Sequence, residues 1–331
     1  MRKLQGPTNG KIAVTGSLAF DLIMDFPGYF KDHILPEKLH VINISFLVGD
    51  LKKQRGGCAG NIAYTLALLG HQPRVVAAAG RDFGEYAEWL REHGVDTSGV
   101  HIFDDETTAS CFITTDRADS QITGFYPGAM KRAREISLRN SVEQEHGWVI
   151  VAPDDPAAMI RHCCEAREAG LRLVLDLSWQ VTAMDGAELL ECARGATVLI
   201  LNDYEFAVFQ EKTGRTRNEL LAEDLEMIVV TLGDRGSEIY VRSGEQHRIP
   251  TAKVGNVVDP TGAGDAYRGG FLAGLLEGHD VVACGRMGSV AGAYAVEQYG
   301  TSNHVFTRTE FLERYQENFG PVTECADTAV H

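Results

Sequence analysis

A glycine-rich segment in the last quarter of the chain combines residue types that phosphoryl transfer requires. It has the sequence DPTGAGD over Asp259–Asp265 and leads into an apolar helical pattern. At a helix start the backbone N–H groups of Gly262, Ala263 and Gly264 would converge on one point, where the helix dipole adds about half a positive charge. The segment therefore predicts a binding site for an anion such as a phosphoryl group.

Asp265, the last residue of this segment, has two interpretations. If the glycine-rich turn holds a phosphoryl group, the Asp265 carboxylate takes the proton from the hydroxyl that attacks it. If its role is structural, Asp265 caps the helix. The segment alone does not separate the two.

A second glycine-rich segment, GGCAGN over Gly56–Asn61, opens the first long helical pattern. Its glycines permit a ligand to approach the backbone closely, and Asn61 lies one turn into the helix, where its amide can bond a polyol. The same glycines are equally typical of close packing between a strand and a helix. Asp21 follows the first strand, at the edge where α/β sheets bind ligands, although a turn or cap would explain it as well.

Two further pairs of residues follow predicted strands. Asn202 and Glu205 come after the strand Val198–Leu201, and their spacing of one helical turn suits a magnesium–phosphate complex reached through water. Thr231 and Gly233 occupy the same position after another strand and could line a nucleotide. Each pair is generic when taken singly.

The composition excludes several classes of partner. Of the 331 residues, 31 are Lys or Arg and 46 are Asp or Glu, which gives a formal net charge of −15. Phosphate backbones and anionic lipids repel that excess, so we expect neither nucleic acid nor a membrane surface as a partner. A small anionic ligand is not excluded, because local backbone donors override the global charge.

The cysteines and the hydropathy pattern predict a cytoplasmic protein. The seven cysteines are odd in number and form no Cys-x-x-Cys pair, which is typical of scattered reduced thiols. No stretch reaches the roughly 20 apolar residues that cross a bilayer, and polar residues interrupt the N-terminus where a signal peptide needs an apolar core.

Three other kinds of site are poorly supported. The chain has no P-loop motif, and a single glycine follows its first strand where a dinucleotide-binding oxidoreductase carries several. No His or Cys spacing is typical of a zinc site.

Short apolar runs rich in β-branched residues alternate with helical patterns along most of the chain. The runs predict strands at Ile12–Thr15, Val75–Ala78, Val149–Ala152, Leu171–Asp176, Val198–Leu201 and Ile228–Thr231. The helical patterns cover Cys58–Leu69, Gly84–His93, Pro156–Ala169, Gly186–Arg194, Asp203–Glu211, Gly264–Leu276 and Val281–Gln298. Together they predict a doubly wound, parallel α/β sheet with helices on both faces.

Two segments lack this alternation of strand and helix patterns, namely Leu39–Val48 and Thr107–Phe125. They read as half-buried strands of a small antiparallel sheet. In both segments the chain leaves the α/β core and then returns to it, so we expect the two segments to form a single lid. The expected boundaries are 22–50 and 104–126 for the lid, 1–21, 51–103 and 127–321 for the core, and 322–331 for a disordered tail.

In combination, the two glycine-rich segments resemble the two signatures of the ribokinase/PfkB carbohydrate-kinase family. Asn202–Glu205 and Thr231–Gly233 lie between them in the family's order, and the resemblance covers roughly residues 11–320. It implies a ribokinase-like three-layer α/β/α fold with a β-sheet lid. The N-terminal half is similar to bacterial adenosine kinases, the actinobacterial type in particular. The segments that carry this similarity are Val14–Ser17, Asp21, Phe26–Gly28, Leu35–Pro36, Ser45–Val48 and Phe125–Met130.

The resemblance implies a role for each matching residue. Asp265 would be the catalytic base, and the anion hole would comprise Gly262, Ala263 and Gly264. The residues implied for the nucleoside are Ser17, Asp21, Ser45, Gly57, Asn61, Phe125 and Gln180, among which Asp21, Gly57 and Asn61 would hold the ribose hydroxyls. Those implied for ATP and magnesium are Asn202, Glu205 (through water), Thr231 and Gly233. Those implied for a monovalent cation, K⁺, are Asp259, Thr261 and Gly300.

Two positions depart from the adenosine-kinase pattern, and both fall in the implied nucleoside pocket. Leu177–Gln180 (LSWQ) stands where Pro and paired amides are expected, and Cys111 stands where a lid aromatic is expected. These departures concern the preference for a base and leave the prediction of phosphoryl transfer unchanged.

The sequence thus predicts ATP- and Mg²⁺-dependent phosphorylation of a ribose 5′-hydroxyl, that of adenosine giving AMP. The alternatives are a sugar kinase of the same fold, acting on ribose or fructose, and a nucleoside-binding protein without turnover. Because the lid has too few strands to bury both faces, a homodimer through the lid is expected. The resemblance to adenosine kinases implies that Phe125 of one subunit reaches the pocket of its neighbour.

Overall fold

The computed structural model describes residues 11–34, 44–118, 120–143, 145–223 and 225–322, and their strands form two sheets. In chain order the strands are β1 (Lys11–Thr15), β2 (Ala19–Asp25), β3 (Asp50–Gly56), β4 (Arg74–Gly80), β5 (Asp96–Phe103), β6 (Ala109–Thr115), β7 (Gln121–Tyr126), β8 (His146–Val151), β9 (Arg172–Asp176), β10 (Val198–Asn202), β11 (Met227–Thr231), β12 (Ser237–Val241) and β13 (Gln246–Ile249). The helices are α1 (Cys58–Leu68), α2 (Gly84–Glu92), α3 (Pro156–Glu168), α4 (Gln180–Ala183), α5 (Gly186–Ala193), α6 (Asp203–Thr213), α7 (Arg217–Glu223), α8 (Ala263–Leu276), α9 (Val281–Val296) and α10 (Arg308–Phe319).

The larger sheet has nine strands in the order β13-β12-β11-β10-β9-β8-β1-β4-β5. Its strands from β11 to β5 are parallel, and β12 and β13 extend one edge as an antiparallel pair. From β1 the chain moves outward to β4 and β5, and it then returns to the other side of β1 with β8. The carboxyl ends of β1 and β8 therefore flank the crevice where open α/β sheets bind ligands.

Apolar layers cover both faces of this sheet, as the continuous apolarity of its strands requires. Within β1, Ile12 and Val14 pack into a cluster with α1, α8 and α9, whereas Ala13 faces a second cluster with α3 and α5. The predicted doubly wound α/β fold is confirmed, including each of the strands and helices predicted for the core.

The smaller sheet has the order β3-β2-β6-β7. β2 pairs antiparallel with β3 and parallel with β6, and β7 closes a hairpin with β6. Because three residues separate the end of β1 at Thr15 from the start of β2 at Ala19, the sheet is attached directly beside the crevice. The hairpin confirms the strands predicted within Thr107–Phe125. The prediction that this sheet is antiparallel is wrong for one pair, because β2 and β6 run parallel and the sheet is mixed.

The strand predicted over Leu39–Val48 is wrong for residues 44–48, which form no strand, and residues 39–43 lie outside the described part. Phe46 packs instead against Phe26 and Phe30, with ring centroids 4.8 and 5.2 Å away. Ring packing, rather than backbone pairing, holds this segment, and β3 supplies the fourth strand. The predicted division into core and lid stays a prediction, and the expected tail lies outside the description from residue 323 onward.

None of the helices in the described ranges is both long and apolar enough to cross a membrane.

Candidate active site

The start of α8 forms the turn that was predicted to hold an anion. Gly262 precedes the helix with φ +81°, and a Cβ at this residue would lie 2.9 Å from the Cα of Thr301, so only glycine fits. The Ala263 N–H donates to the Pro260 carbonyl at 3.3 Å. Among the described residues, the Gly262 and Gly264 amides donate no hydrogen bond. These two amides are therefore available to an anion at the positive end of the helix.

Asp265, in the first turn of α8, is held by an amide from the other glycine-rich segment. The Asn61 Nδ2 atom donates to Asp265 Oδ2 at 2.8 Å, and the Ser302 hydroxyl donates to Asn61 Oδ1 at 2.7 Å. The second bond fixes the amide so that its NH₂ group, rather than its oxygen, faces the carboxylate. The Cys58 thiol also interacts with this carboxylate. Asn61 engages Oδ2, which leaves Oδ1 as the oxygen that a substrate hydroxyl would approach.

Asp21 lies against the same cluster from β2. A Cβ at Gly56 would fall 2.6 Å from Asp21 Oδ2, which places this carboxylate over the end of β3. Burial and the negative charges of Asp265 and Asp259 raise the pKa of Asp21 to about 6. No hydrogen-bond donor to the Asp21 carboxylate occurs in the described ranges, so it is free to accept from ligand hydroxyls.

The start of α1 is packed tightly against the loop that follows β1. Gly57 has φ +91°, and a Cβ there would lie 2.5 Å from the Ser17 carbonyl oxygen. The buried Ser17 hydroxyl accepts from the Cys58 N–H at 3.2 Å. These contacts support the packing interpretation of the GGCAGN glycines, and they also bring Ser17, Gly57 and Asn61 to the crevice.

A buried ion pair lies beneath the α8 turn. Arg268 binds Asp176, at the end of β9, through Nη2 to Oδ1 at 2.7 Å and through Nε to Oδ2 at 2.5 Å. Burial raises the pKa of Asp176 to about 7, and Arg268 opposes that rise. Burial likewise raises the pKa of Asp265, and the Arg268 charge is the largest influence that lowers it.

Asp259, Thr261 and Gly300, implied for a monovalent cation, do come together. The Asp259 carboxylate accepts from the Thr261 N–H at 2.9 Å and from the Gly300 N–H at 3.0 Å. This arrangement ties the segment before α8 to the loop after α9. The cation itself stays a prediction.

Asn202 and Glu205 cap α6 reciprocally. Asn202 Oδ1 accepts from the Glu205 N–H at 2.7 Å, and Glu205 Oε2 accepts from the Asn202 N–H at 2.9 Å. Thr231 is the register partner of Asn202 on β11, and Gly233, with φ +62°, follows in the next turn. The four residues implied for the nucleotide are therefore neighbours at one sheet edge.

The negative charge of Glu205 also raises the pKa of Asp265 and of Asp176. The carboxylate at this sheet edge therefore interacts electrostatically with the residues at the α8 turn. The described residues contain no group of three or more His, Cys, Asp or Glu side chains able to hold a metal ion by themselves. A magnesium ion here would take most of its ligands from phosphate oxygens and water, as this cation usually does.

The residues implied for the base are more scattered. Phe125 on β7 and Trp179 form an edge-to-face pair with centroids 6.1 Å apart, and both rings are exposed. Gln180 is buried and donates through Nε2 to the Asp154 carbonyl at 2.5 Å. Ser45 is exposed, and the description of the chain shows no hydrogen bond from it to another site residue, so its role stays a prediction.

Sequence reasoning missed Arg268, Asp176 and Ser302. Arg268 offered one signal, because it is a charged residue three positions after Asp265 in a helix whose other members are small or apolar. No local sequence pattern pointed to Ser302 or Asp176, because their partners Asn61 and Arg268 lie 241 and 92 residues away along the chain.

Comparison with known proteins agrees with this geometry. Residues 11–308 match the family described as pfkB family carbohydrate kinase. The chain is 30% identical over 315 residues to a nucleoside kinase of Methanocaldococcus jannaschii, covering 93% of this chain and 97% of the relative.

Solved structures extend the similarity to the whole fold. The nucleoside kinase of Burkholderia thailandensis in complex with inosine is 34% identical, with a TM-score of 0.84 and coverage of 95% of this chain and 100% of the other. The same enzyme in complex with ADP-inosine is 35% identical, with a TM-score of 0.83 and coverage of 96% and 99%. The family resemblance is confirmed: the chain belongs to the PfkB family of carbohydrate kinases and is a phosphotransferase that acts on an alcohol group.

Proposed function

We propose that this chain is a nucleoside kinase that transfers the γ-phosphoryl group of ATP to a ribose 5′-hydroxyl, with adenosine as the preferred acceptor. The observation that carries the proposal is the 2.8 Å bond between Asn61 and Asp265, which joins the two glycine-rich segments in one crevice. Asp21, an unpaired carboxylate, lies within electrostatic reach of Asp265. The similarity to nucleoside kinases over nearly the whole chain supports a nucleoside as the acceptor.

In the proposed reaction, the free oxygen of Asp265 accepts the proton of the 5′-hydroxyl while the 5′-oxygen of the ribose forms a bond to the γ-phosphorus. The bond between the γ-phosphorus and the bridging oxygen breaks, and ADP leaves. The amides of Gly262 and Gly264 face the charge that develops on the transferred group. Asp21 accepts hydrogen bonds from the ribose hydroxyls and thereby aligns the 5′-oxygen.

Magnesium, when bound with ATP, supplies charge neutralisation on the phosphates. Glu205 would reach it through water, and Asn202, Thr231 and Gly233 would line the nucleotide at the edge formed by β10 and β11. Asp259, Thr261 and Gly300 would hold K⁺ beside the α8 turn. The Asp259 carboxylate already accepts two amides there, so backbone carbonyls would complete such a site.

Inosine is the second candidate acceptor. Two similar structures of one bacterial nucleoside kinase contain inosine or ADP-inosine. In this chain the buried Gln180 has an Oε1 atom without a partner among the described residues, which could accept from either an amino group or a ring N–H. Adenosine carries the first donor and inosine the second, so the assay must compare them directly.

The decisive experiment is a coupled ADP-release assay with ATP, Mg²⁺ and a panel of adenosine, inosine, guanosine, cytidine, ribose and fructose. We expect kcat/KM for adenosine to exceed that for ribose by at least roughly 10²-fold, because the site positions a whole nucleoside. 5′-Deoxyadenosine should give no product, which establishes the acceptor atom. Preference for ribose or fructose would establish a sugar kinase instead, and nucleoside binding without ADP release would establish a binding protein.

A further inference from the structure

Arg268 places a cation where a helix does not favour one. Its side chain is buried and leans toward the start of α8, so that a Cβ at Gly264 would lie 2.7 Å from Nη1. The first turn of a helix already carries partial positive charge, and a cation there is destabilising unless an anion offsets it.

Asp176 fixes the guanidinium in one orientation. Nη2 donates a hydrogen bond to Oδ1 at 2.7 Å, and Nε lies 2.5 Å from Oδ2 as an ion pair that lacks hydrogen-bond geometry. Asp176 is itself completely buried at the end of β9. No acceptor for Nη1 is found in the described ranges, so this nitrogen remains on the side of Gly264 and the anion-binding turn.

The surroundings of Asp265 are otherwise neutral or acidic. Asn61 and Cys58 face it from α1, and Glu205 acts on it from α6. Asp21 on β2 and Asp176 on β9 each feel its charge. Within this group Arg268 is the one cation, and its charge is the largest influence that lowers the pKa of Asp265 and of Asp176. The hydrogen bonds from Asn61 and Cys58 add to it at Asp265.

We propose that Arg268, fixed by Asp176, is a positioning residue of the phosphoryl-transfer reaction. Its guanidinium supplies a permanent positive charge behind the first turn of α8. That charge keeps Asp265 ionised as the base and strengthens the attraction of the Gly262 and Gly264 amides for the transferred phosphoryl group. The inference rests on phosphoryl transfer at Asp265 and is independent of which alcohol the enzyme prefers.

The test compares Arg268→Gln, Arg268→Lys and a matched control, Arg314→Gln, in the full chain. Arg314 also makes two bonds to one carboxylate, that of Glu297, at 2.8 Å each, but lies on α10 away from the crevice. For Arg268→Gln we expect kcat to fall roughly 10²-fold, comparable to the loss of one oxyanion donor. The nucleoside KM should stay within about threefold, because Arg268 does not act on the binding of the nucleoside itself.

Three further results separate this role from packing alone. The acidic limb of the kcat/KM profile should move to higher pH in Arg268→Gln, since Asp265 loses the cation that favours its ionised form. Arg268→Lys keeps the charge and should recover at least about tenfold of the lost kcat. The affinity for AMP-PNP with Mg²⁺, measured by calorimetry, should weaken roughly fivefold in Arg268→Gln but not in Arg268→Lys or in the control Arg314→Gln.

Arg268→Gln leaves Asp176 buried without its partner and can fail to fold. In that event Asp176→Leu/Arg268→Met replaces the pair by apolar side chains, which a core tolerates better, and the loss of kcat and of AMP-PNP affinity should persist. A folded variant of either kind with wild-type kcat, pH limb and AMP-PNP affinity would overturn the inference. If the wild-type enzyme prefers a sugar, the proposed acceptor is wrong, and the same variants are tested with that sugar.

Discussion

The Asn61 amide and the Asp265 carboxylate meet at 2.8 Å although 204 residues separate them in the chain. This bond defines which oxygen of Asp265 is engaged and which is free for a substrate hydroxyl. It also gives Asn61 a partner within the protein, in addition to the ribose hydroxyls that the family resemblance implies.

Replacing Asp265 by Asn is the first test of its role as the base. The substitution keeps the shape and removes the proton acceptor, so kcat should fall roughly 10²–10⁴-fold while nucleoside binding is largely kept. Steady-state kinetics and calorimetric titration with adenosine measure the two effects. If Asp265 were only a helix cap, the variant would keep its rate and lose about 1 kcal/mol of stability instead.

Ser302 should matter because it sets the orientation of the Asn61 amide. Without its donated bond at 2.7 Å, the amide can rotate and direct its oxygen at Asp265. One hydrogen bond contributes about 1 kcal/mol, so Ser302→Ala should lower kcat roughly three- to tenfold. Ser302→Thr keeps the hydroxyl and should restore most of the rate. Ser289→Ala, which removes a hydroxyl bound to Pro250 and Ala252 away from the crevice, serves as the control.

Much of the core could be predicted because its signals are local. The apolar runs of β1, β4 and β8 to β11 leave few alternatives to buried parallel strands. The segment of β3 (DLKKQRG) has no such pattern, and its pairing with β2 gives it a strand conformation that its own residues do not predict. Conversely, the alternating residues 44–48 form no strand, because Phe46 finds aromatic partners instead.

The residues of the site likewise divide into those that a local sequence pattern identifies and those that it does not. Asp265 and the glycines could be found because their motifs are contiguous. The bonds of Asp265 to Asn61 and of Arg268 to Asp176 depend on which strands and helices become neighbours, and no local pattern carries that information. Asp259, Thr261 and Gly300 came from the family resemblance, and the structure adds the two amide bonds that join them.

Asp21 should make the enzyme sensitive to the ribose 2′-hydroxyl. A buried carboxylate that loses one of its hydrogen-bond donors is left unpaired, which is costly. We therefore expect 2′-deoxyadenosine to be a much poorer substrate than adenosine, by roughly 10²-fold in kcat/KM. Asp21→Ala should erase much of this difference. Equal use of both nucleosides by the wild-type enzyme would contradict the assignment.

The Asp21 carboxylate should lower the free energy of unfolding at neutral pH. Its pKa of about 6 in the folded state exceeds the ordinary 3.8, so the folded protein binds this proton more tightly than the unfolded chain. The unfolding free energy therefore decreases as pH rises from about 4 to about 6, by at most about 3 kcal/mol, and the cost persists above that range. Asp21→Asn should be more stable than wild type at pH 8, with an advantage that shrinks toward pH 5. Thermal unfolding across this range measures it, and a constant difference would contradict the prediction.

The last prediction concerns the lid and the assembly of the enzyme. β3 and β7 form the two edges of the small sheet, and every residue of β7 is exposed. The sheet also exposes apolar side chains, which are Ile122 on β7, Phe112 on the adjacent β6 and Leu51 on the opposite edge strand β3. An open edge with apolar surface favours pairing, and a two-fold partner offering the same sheet would cover it in a closed contact.

We therefore propose a homodimer through the lid, and we expect light scattering at micromolar concentration to give twice the monomer mass of 36.2 kDa. Phe125 contacts Trp179 and lies on the exposed edge strand β7, through which we propose that the two subunits pair. Phe125→Ala should raise the KM for the nucleoside without changing the affinity for ATP, because its ring is on the acceptor side. Lys253→Ala, on the surface near α10, is the control for a change of similar exposure. A monodisperse monomer with normal activity would show that the lid only covers the site and excludes water from it.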